Sequence, residues 1–301
     1  MIRTTRKKYS LKAKEARLGW LFVLPALIGF SIFTFGAIIR SLYYSFTDWD
    51  LLTKPKFVGL KNYIDIFTND KYFYQYMGNT LFFVITLVPI VLVFSLLLAV
   101  LINKKSKGLS SKIYRVILFL PSITSTIAVS MVWMWIFNPN MGLINNILGL
   151  FGLKGPNWLN DPSWAKPALV IMRVWQMSGY YMIMFLTGLQ TIPGGLYEAA
   201  KIDGANKAQS FFRITIPMLA NTTFAVVIML VVEAFNMFES IFIMTSGGPL
   251  GSTSTMMYYI YEKSFIEYKM GYASALSWIF FIIIFIITLI QYKFRNEREG
   301  E

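Results

Sequence analysis

The chain has 301 residues, a formal charge of +13, 56% hydrophobic and 14% charged residues, and a mean hydropathy of +0.55. Soluble domains carry about 25% charged residues, and a soluble chain this long would have to hide more apolar surface than one or two cores enclose, so a soluble enzyme is all but excluded. The absence of histidine and cysteine further removes zinc sites of the His or Cys kind, thiol nucleophiles, disulfides and Ser-His-Asp triads.

Crossing the hydrocarbon of a bilayer takes roughly 20 apolar residues in a helix. Six stretches qualify: 18–39, 80–102, 116–137, 167–190, 218–245 and 272–292. Four contain no charged residue; the fourth holds Arg173, and the fifth holds Glu233 and Glu239. The alternating segments of roughly 10 residues that build a β-barrel do not occur. The pattern predicts an all-α membrane protein with six transmembrane helices, a basic leader over 1–17 and a transmembrane domain over 18–301. The first stretch is longer than a signal-peptide core and lacks a small-x-small cleavage site, so it reads as a retained helix.

Lysine and arginine collect on the cytoplasmic side of a membrane protein. Residues 1–17 carry seven, 103–115 five, 191–217 three and 293–301 three, whereas the other connections carry four, two and two. Both termini are therefore expected in the cytoplasm, and the positive charge also suits contact with anionic lipid headgroups. Nucleic-acid binding would need base-stacking aromatics on a basic surface, and the aromatics here lie in the spans.

Outside, 47–79 mixes eight aromatics, among them Trp49, Tyr63 and Tyr72, with four Asp and four Lys, a composition suited to short amphipathic helices on the membrane surface. The outer connection 138–166, with four glycines and three prolines, reads as an irregular loop. Inside, 191–217 is more specific. Pro193-Gly194-Gly195 opens it, LYEAAKID follows with good helix formers, and Gly204 offers a positive-φ stop. Asn206 with Gln209 resembles a capping box that restarts a helix, and Pro217 fits the first turn of the fifth span. Ala199, Ala200 and Gly204 present little bulk, so another protein could approach closely, and a mere linker could be far shorter.

Glu198-Ala199-Ala200, three residues, Gly204, nine residues, Ile214, one residue and Ile216-Pro217 resemble the EAA loop of ABC importer membrane subunits. The usual pattern has leucine where Ile216 stands. LFVLPALIGF (21–30), SFTDWD (45–50), FVGLKNY (57–63), GNTLFF (78–83), GGPLGST (247–253) and MGYASAL (270–276) are similar to the maltose and glycerol-phosphate type branch. The extra leading spans and large extracellular insertion of its longest members are missing. The resemblance implies a permease subunit of a binding-protein-dependent sugar importer in a bacterial or archaeal inner membrane. Glu198, Ala199, Ala200, Asp203, Gly204 and Pro217 would belong to the coupling segment that fits a cytoplasmic ATPase. The implied partners are two ATPase subunits, a second and different permease subunit, and an extracellular substrate-binding protein. No G-x-x-x-x-G-K-[ST] loop is present, so ATP and Mg would be used by the partner ATPase, with no cofactor, metal or catalytic residue on this chain.

Polar residues inside a membrane are expensive and normally face a cavity or a partner. Arg173, Gln176 and Tyr180 share one face of the fourth span by their i, i+3, i+7 spacing. Glu233, Asn236 and Glu239 spread over an arc of ~120° on the fifth, and Ser122 and Thr126 lie i, i+4 on the third, just after Pro121. Counting 1.5 Å per residue places Arg173 and Glu239 at one level, where they are expected to pair near the outer mouth, with Glu233, Gln176 and Tyr180 deeper. Carboxylates, amides and arginine suit dense hydrogen bonding to a sugar, and aromatics such as Tyr180 and Trp175 suit its flat faces. In maltose-type relatives sugar contacts come from these same regions of the third, fourth and fifth spans, which the resemblance carries to Ser122, Thr126, Arg173, Gln176, Tyr180 and Glu233. The serines and threonines can equally bond backbone or bridge helices, and the charged residues can face the second membrane subunit. A glycerol-phosphate or other non-sugar permease stays open, but an anion would favour clustered cations, and Arg173 faces two glutamates. A proton-coupled carrier using Glu233 and Glu239 would leave the 191–217 connection unexplained. An intramembrane enzyme would lack a convergent catalytic set.

Overall fold

A computed structural model describes residues 5–104 and 109–299. Residues 1–4, 105–108 and 300–301, parts of the basic leader, the 103–115 connection and the tail, lie outside the described residues. In chain order the elements are α1 (Thr5–Gly29), a π-helical turn (Phe30–Phe35), α2 (Gly36–Ser45), β1 (Thr47–Asp48), β2 (Lys56–Phe57), α3 (Lys61–Thr68), α4 (Lys71–Lys104), α5 (Leu109–Ile123), α6 (Thr126–Ile136), α7 (Leu143–Leu150) and α8 (Pro162–Thr191). There follow α9 (Gly194–Ile202), α10 (Lys207–Ser210), a second π turn (Phe211–Thr215), α11 (Ile216–Met218), α12 (Ala220–Phe235), α13 (Glu239–Met244), α14 (Met256–Tyr261), a third π turn (Glu262–Ile266) and α15 (Met270–Glu299).

Among the described residues, four helices are long and apolar enough to cross a membrane: Ala13–Ser45, Lys71–Asn103, Pro162–Thr191 and Met270–Lys293. Two bent pairs make six if each is one span: Lys112–Ile123 with Thr126–Ile136, bent by 99°, and Lys207–Met218 with Ala220–Phe235, bent by 66°. The sequence reading treated the third span, 116–137, as unbroken, and set the helix before Pro217 apart from the fifth span. Pro121 brings no N–H to the ladder of α5. The hydroxyls of Ser122 and Thr124 bond back to the carbonyls of Phe119 and Leu120, competing with the helix for those acceptors. Ser125 then turns extended (φ −53°, ψ 130°) before α6 begins. The fifth span also ends earlier than expected, at Phe235, and α13 starts afresh at Glu239. In the outer connections, Tyr72–Tyr74 belong to the long helix α4 rather than to a surface helix, and the 138–166 loop contains α7.

The chain divides into two compact units. One runs to Thr68 and takes in Lys263–Ile279. Its exit from α2 is held by Asn62, whose amide donates to the carbonyls of Ser45 (3.0 Å) and Thr47 (2.9 Å), and by Tyr63 on Ser45 Oγ (2.7 Å). The ring of Tyr44 stacks on Trp49 at 4.1 Å. Asp50 accepts from the backbone N–H groups of Leu52 and Thr53 and from the Thr53 hydroxyl, and the Thr53 bonds hold its carboxyl below the usual carboxylate value.

The second unit, Asn69–Glu262 with the chain from Phe280, is organised around α8. Val88 and Val91 of α4 and Val226 and Leu230 of α12 pack with Met177, Tyr181 and Phe185 of α8. Lipid tails are as apolar as leucine, so close packing rather than escape from water holds such helices together. Gly179 is what lets α8 lie against α5: a Cβ there would strike the Leu118 carbonyl. The loop from Thr245 to Met256 is tied to α4 by Asn79, which donates to Gly251 and Ser254 carbonyls (both 2.9 Å), and by Thr80 Oγ1, which accepts from Met256 N–H.

Candidate functional site

The site lies wholly within the second unit, where α8 faces the α5–α6 break and α12. A cavity of about 540 Å³ is lined by Ser122, Thr126, Arg173, Gln176, Met177, Tyr180, Tyr181, Ile228, Met229, Val232 and Glu233. The structure thus brings six of the eight predicted residues together around one space, three of them from one face of α8.

Their polar atoms form a connected network. Arg173 Nη2 pairs with Glu233 Oε1 at 3.0 Å, and Arg173 Nη1 donates to Gln176 Oε1 at 2.8 Å. Tyr181 O–H donates to Glu233 Oε2 at 2.8 Å. Gln176 Nε2 donates to Thr126 Oγ1 at 3.2 Å and reaches the Thr124 carbonyl at 3.5 Å. The break in the third span therefore has a structural consequence: it leaves Thr124 and Thr126 where the α8 amide bonds them. A charge away from water is tolerated only when paired and hydrogen-bonded. The Arg173 side chain, 9% exposed, meets that condition through Glu233, which is 43% exposed.

Two predicted residues are elsewhere. Asn236 is exposed and its amide donates to the Val232 carbonyl of its own helix at 2.8 Å. Glu239 is exposed at the start of α13. The expected Arg173–Glu239 pair is thereby corrected to Arg173–Glu233. The depth count assumed a continuous helix from 218 to 245, whereas α12 ends at Phe235 and Glu239 opens a separate helix. Sequence reasoning missed Tyr181, the second donor to Glu233. At i+8 from Arg173 it shares the face with Tyr180, so accepting both i+7 and i+8 would have included it. Met229 and Ile228 follow likewise, four and five residues before Glu233.

The 191–217 connection has the local form its sequence predicts. Helix α9 ends at Gly204, whose φ is +79°. The Ala205 N–H bonds the Ala200 carbonyl across the turn (2.8 Å). A capping box then joins Asn206 and Gln209 reciprocally. Glu198, Ala199, Asp203, Gly204 and Pro217 are exposed and Ala200 is half-buried. Tyr197 on α9 hydrogen-bonds Thr215 Oγ1 at 2.9 Å, fastening this helix to the turn that leads into α12. Among the described residues no group of three or more acidic side chains is placed to hold a metal ion.

A multi-pass helical membrane fold with a lined cavity and a small-residue connection defines a membrane transport subunit. Residues 92–297 match the model of the family described as binding-protein-dependent transport system inner membrane component, and the chain belongs to that family. It is a permease, a transport component that is not itself an enzyme. It is 39% identical over 292 residues to the probable ABC transporter permease protein YesP of Bacillus subtilis (strain 168), covering 96% of this chain and 93% of that one. It is 34% identical to the lactose transport system permease protein LacF of Rhizobium radiobacter, with 98% and 99% coverage. A chain of a bacterial ABC transporter involved in the import of the acidic polysaccharide alginate has the same fold, with a TM-score of 0.85, 23% identity and 96% and 99% coverage.

Proposed function

We propose that this permease forms part of the pathway by which an ATP-driven importer moves a saccharide, with the cavity around Glu233 as its substrate-contacting wall. The observation that carries the reading is the cavity itself. Ser122, Thr126, Arg173, Gln176, Tyr180 and Glu233 surround one space in the helical bundle, and they supply the hydrogen-bonding groups and the aromatic ring that a sugar needs. The lactose permease relative supports the substrate class. Asn236 and Glu239, exposed away from this space, are assigned to a surface facing the second permease subunit. In this reading both termini are cytoplasmic, as the distribution of basic residues favours, and a substrate-binding protein delivers the sugar from outside.

The exposed segment Glu198-Ala199-Ala200 to Gly204, with Asp203, docks on one of two cytoplasmic ATPase subunits, which bind ATP and Mg. Pro217 anchors the chain's return to the bundle, and closure of the ATPases moves α9 and, through Tyr197 and Thr215, the start of α12.

The test is uptake into vesicles holding this chain with its co-purifying partners, with and without internal ATP, comparing wild type with Gly204→Asp. No atom lies within 4 Å of a Cβ built on Gly204, but its φ of +79° strains any side chain there, so Gly204→Ala, which carries the strain without the charge or bulk, serves as the control. ATP-dependent sugar uptake that falls at least tenfold in Gly204→Asp, with the complex still assembled, is the expected result. Uptake that ignores ATP and follows a proton gradient would sink the proposal.

A further inference from the structure

Resting on the reading of this cavity as the sugar-contacting wall, we infer that it selects neutral, hydroxyl-rich saccharides against uronic acids and phosphorylated sugars. Glu233 is the specificity-determining residue and Arg173 is a positioning residue behind it. The sequence favours a neutral substrate only through the shortage of cations, and leaves open whether Arg173 or a carboxylate meets it. The geometry decides the matter through exposure: Arg173 shows 9% of its side-chain surface and Glu233 shows 43%. What a ligand meets is the carboxylate.

Several donors of the wall are turned onto the wall, while the buried Arg173 Nε has no partner and the half-exposed Tyr180 hydroxyl stays available to a ligand. Both terminal nitrogens of Arg173 are engaged, one by Gln176 and one by Glu233. The Gln176 amide is directed at Thr126 and Thr124, the Ser122 hydroxyl at the Phe119 carbonyl, and the Tyr181 hydroxyl at Glu233. The acceptors are not exhausted. Each carboxylate oxygen can accept two hydrogen bonds, and Oε1 and Oε2 of Glu233 accept one apiece, from Arg173 and Tyr181. Those two bonds fix the carboxylate while its exposed side keeps acceptor capacity for sugar hydroxyls, which would donate to it as charge-assisted bonds. The ring of Tyr180, 42% exposed, and the side chains of Met229 and Val232 supply the apolar flank. An anionic sugar would approach a carboxylate in a low-dielectric space with Arg173, the one cation lining it among the described residues, already committed behind it, and like charges there repel.

The experiment is saturation-transfer NMR on the assembled importer in nanodiscs, without binding protein. It uses the sugar identified by the uptake assay, its uronic-acid analogue, and the methyl ester of that analogue. Wild type should transfer saturation to the neutral sugar and to the ester and not to the uronate. Glu233→Gln, which keeps the shape and an acceptor for Arg173, should weaken the neutral sugar by about tenfold, the worth of trading a charge-assisted hydrogen bond for a neutral one, and should admit the uronate. Should that variant fail to assemble, Arg173→Gln/Glu233→Gln removes both charges together and should admit the uronate as well. Arg173→Lys should restore binding and selectivity to within about threefold of wild type where Arg173→Gln loses them. Direct bidentate contact between Arg173 and the sugar would forbid that rescue. Uronate binding by wild type as strong as that of the neutral sugar, or Glu233→Gln with unchanged selectivity, overturns the inference while leaving the cavity as the sugar site. Saturation transfer that no cavity substitution alters, or none to any of the three sugars, overturns the reading of the cavity itself.

Discussion

The cavity around Glu233 and the 191–217 connection answer opposite physical demands. In the cavity, a guanidinium, a carboxylate, an amide, a phenol and a hydroxyl are locked by contacts of 2.8–3.2 Å between residues up to 60 positions apart. In the connection, the turn and capping hydrogen bonds span three to five residues, with the Tyr197–Thr215 bond across 18 beside them, the surface is mostly small and exposed, and a positive-φ glycine stops the helix. A buried polar site must satisfy itself internally before it can serve a ligand. A docking element needs only a defined local shape, because its partner supplies the rest of the interface.

Removing one member of the buried pair should break the cavity side of this contrast most strongly. Glu233→Ala leaves the buried Arg173 without its carboxylate; because Glu233 is 43% exposed, water takes up part of the loss, and the cost is about 1–3 kcal/mol. The expected outcome is a clearly lowered melting temperature of the purified complex and loss of uptake, with much of the melting temperature regained in the double variant Arg173→Met/Glu233→Ala. Equal melting temperatures for wild type and Glu233→Ala would mean that the pair does not hold the bundle.

The connection is sharpened by a smaller change. Tyr197→Phe deletes the bond to Thr215, worth about 1 kcal/mol, and leaves the exposed surface of α9 untouched. Assembly with the ATPases should survive while sugar transported per ATP hydrolysed falls two- to threefold. An unchanged ratio would show that α9 moves α12 without this link.

The exposed ion cluster after the third π turn gives the weakest effect and a useful contrast with the pair in the cavity. Burial alone would raise the Glu267 carboxyl, but Lys263 (2.5 Å) and Lys269 (2.7 Å) outweigh it and hold the group below its usual 4.5. A depressed carboxylate contributes stability above pH 4.5 that is lost as pH falls through its lower folded-state value. Because the cluster is partly exposed, the contribution is under about 1 kcal/mol. Amide exchange over residues 262–269, corrected for intrinsic rates, should therefore gain protection between pH 3 and 5 in wild type and stay flat in Glu267→Gln.

Much of the molecule was legible because its signals are local. The capping box at Asn206 and Gln209, the stop at Gly204 and the helical stripe Arg173, Gln176, Tyr180 each depend on residues within two turns of one another. The Arg173–Glu233 pair was not legible, because choosing between Glu233 and Glu239 required the position of a helix break. The 99° bend after Pro121 was equally hidden. Proline inside an apolar stretch permits a kink, but its size depends on how Ser122 and Thr124 compete for carbonyls and on what packs against the break.

The sequence by itself determined that the chain is a helical membrane protein, which face of α8 is polar, and the shape of the 191–217 connection. Hydropathy, helical periodicity and turn chemistry act over a few residues and need no partner to express them. Only the tertiary structure decided which carboxylate meets Arg173, that Tyr181 joins it, and that the carboxylate rather than the guanidinium faces the cavity. Those outcomes depend on phase and distance between separate helices, set by packing at Gly179 and by breaks in the third and fifth spans.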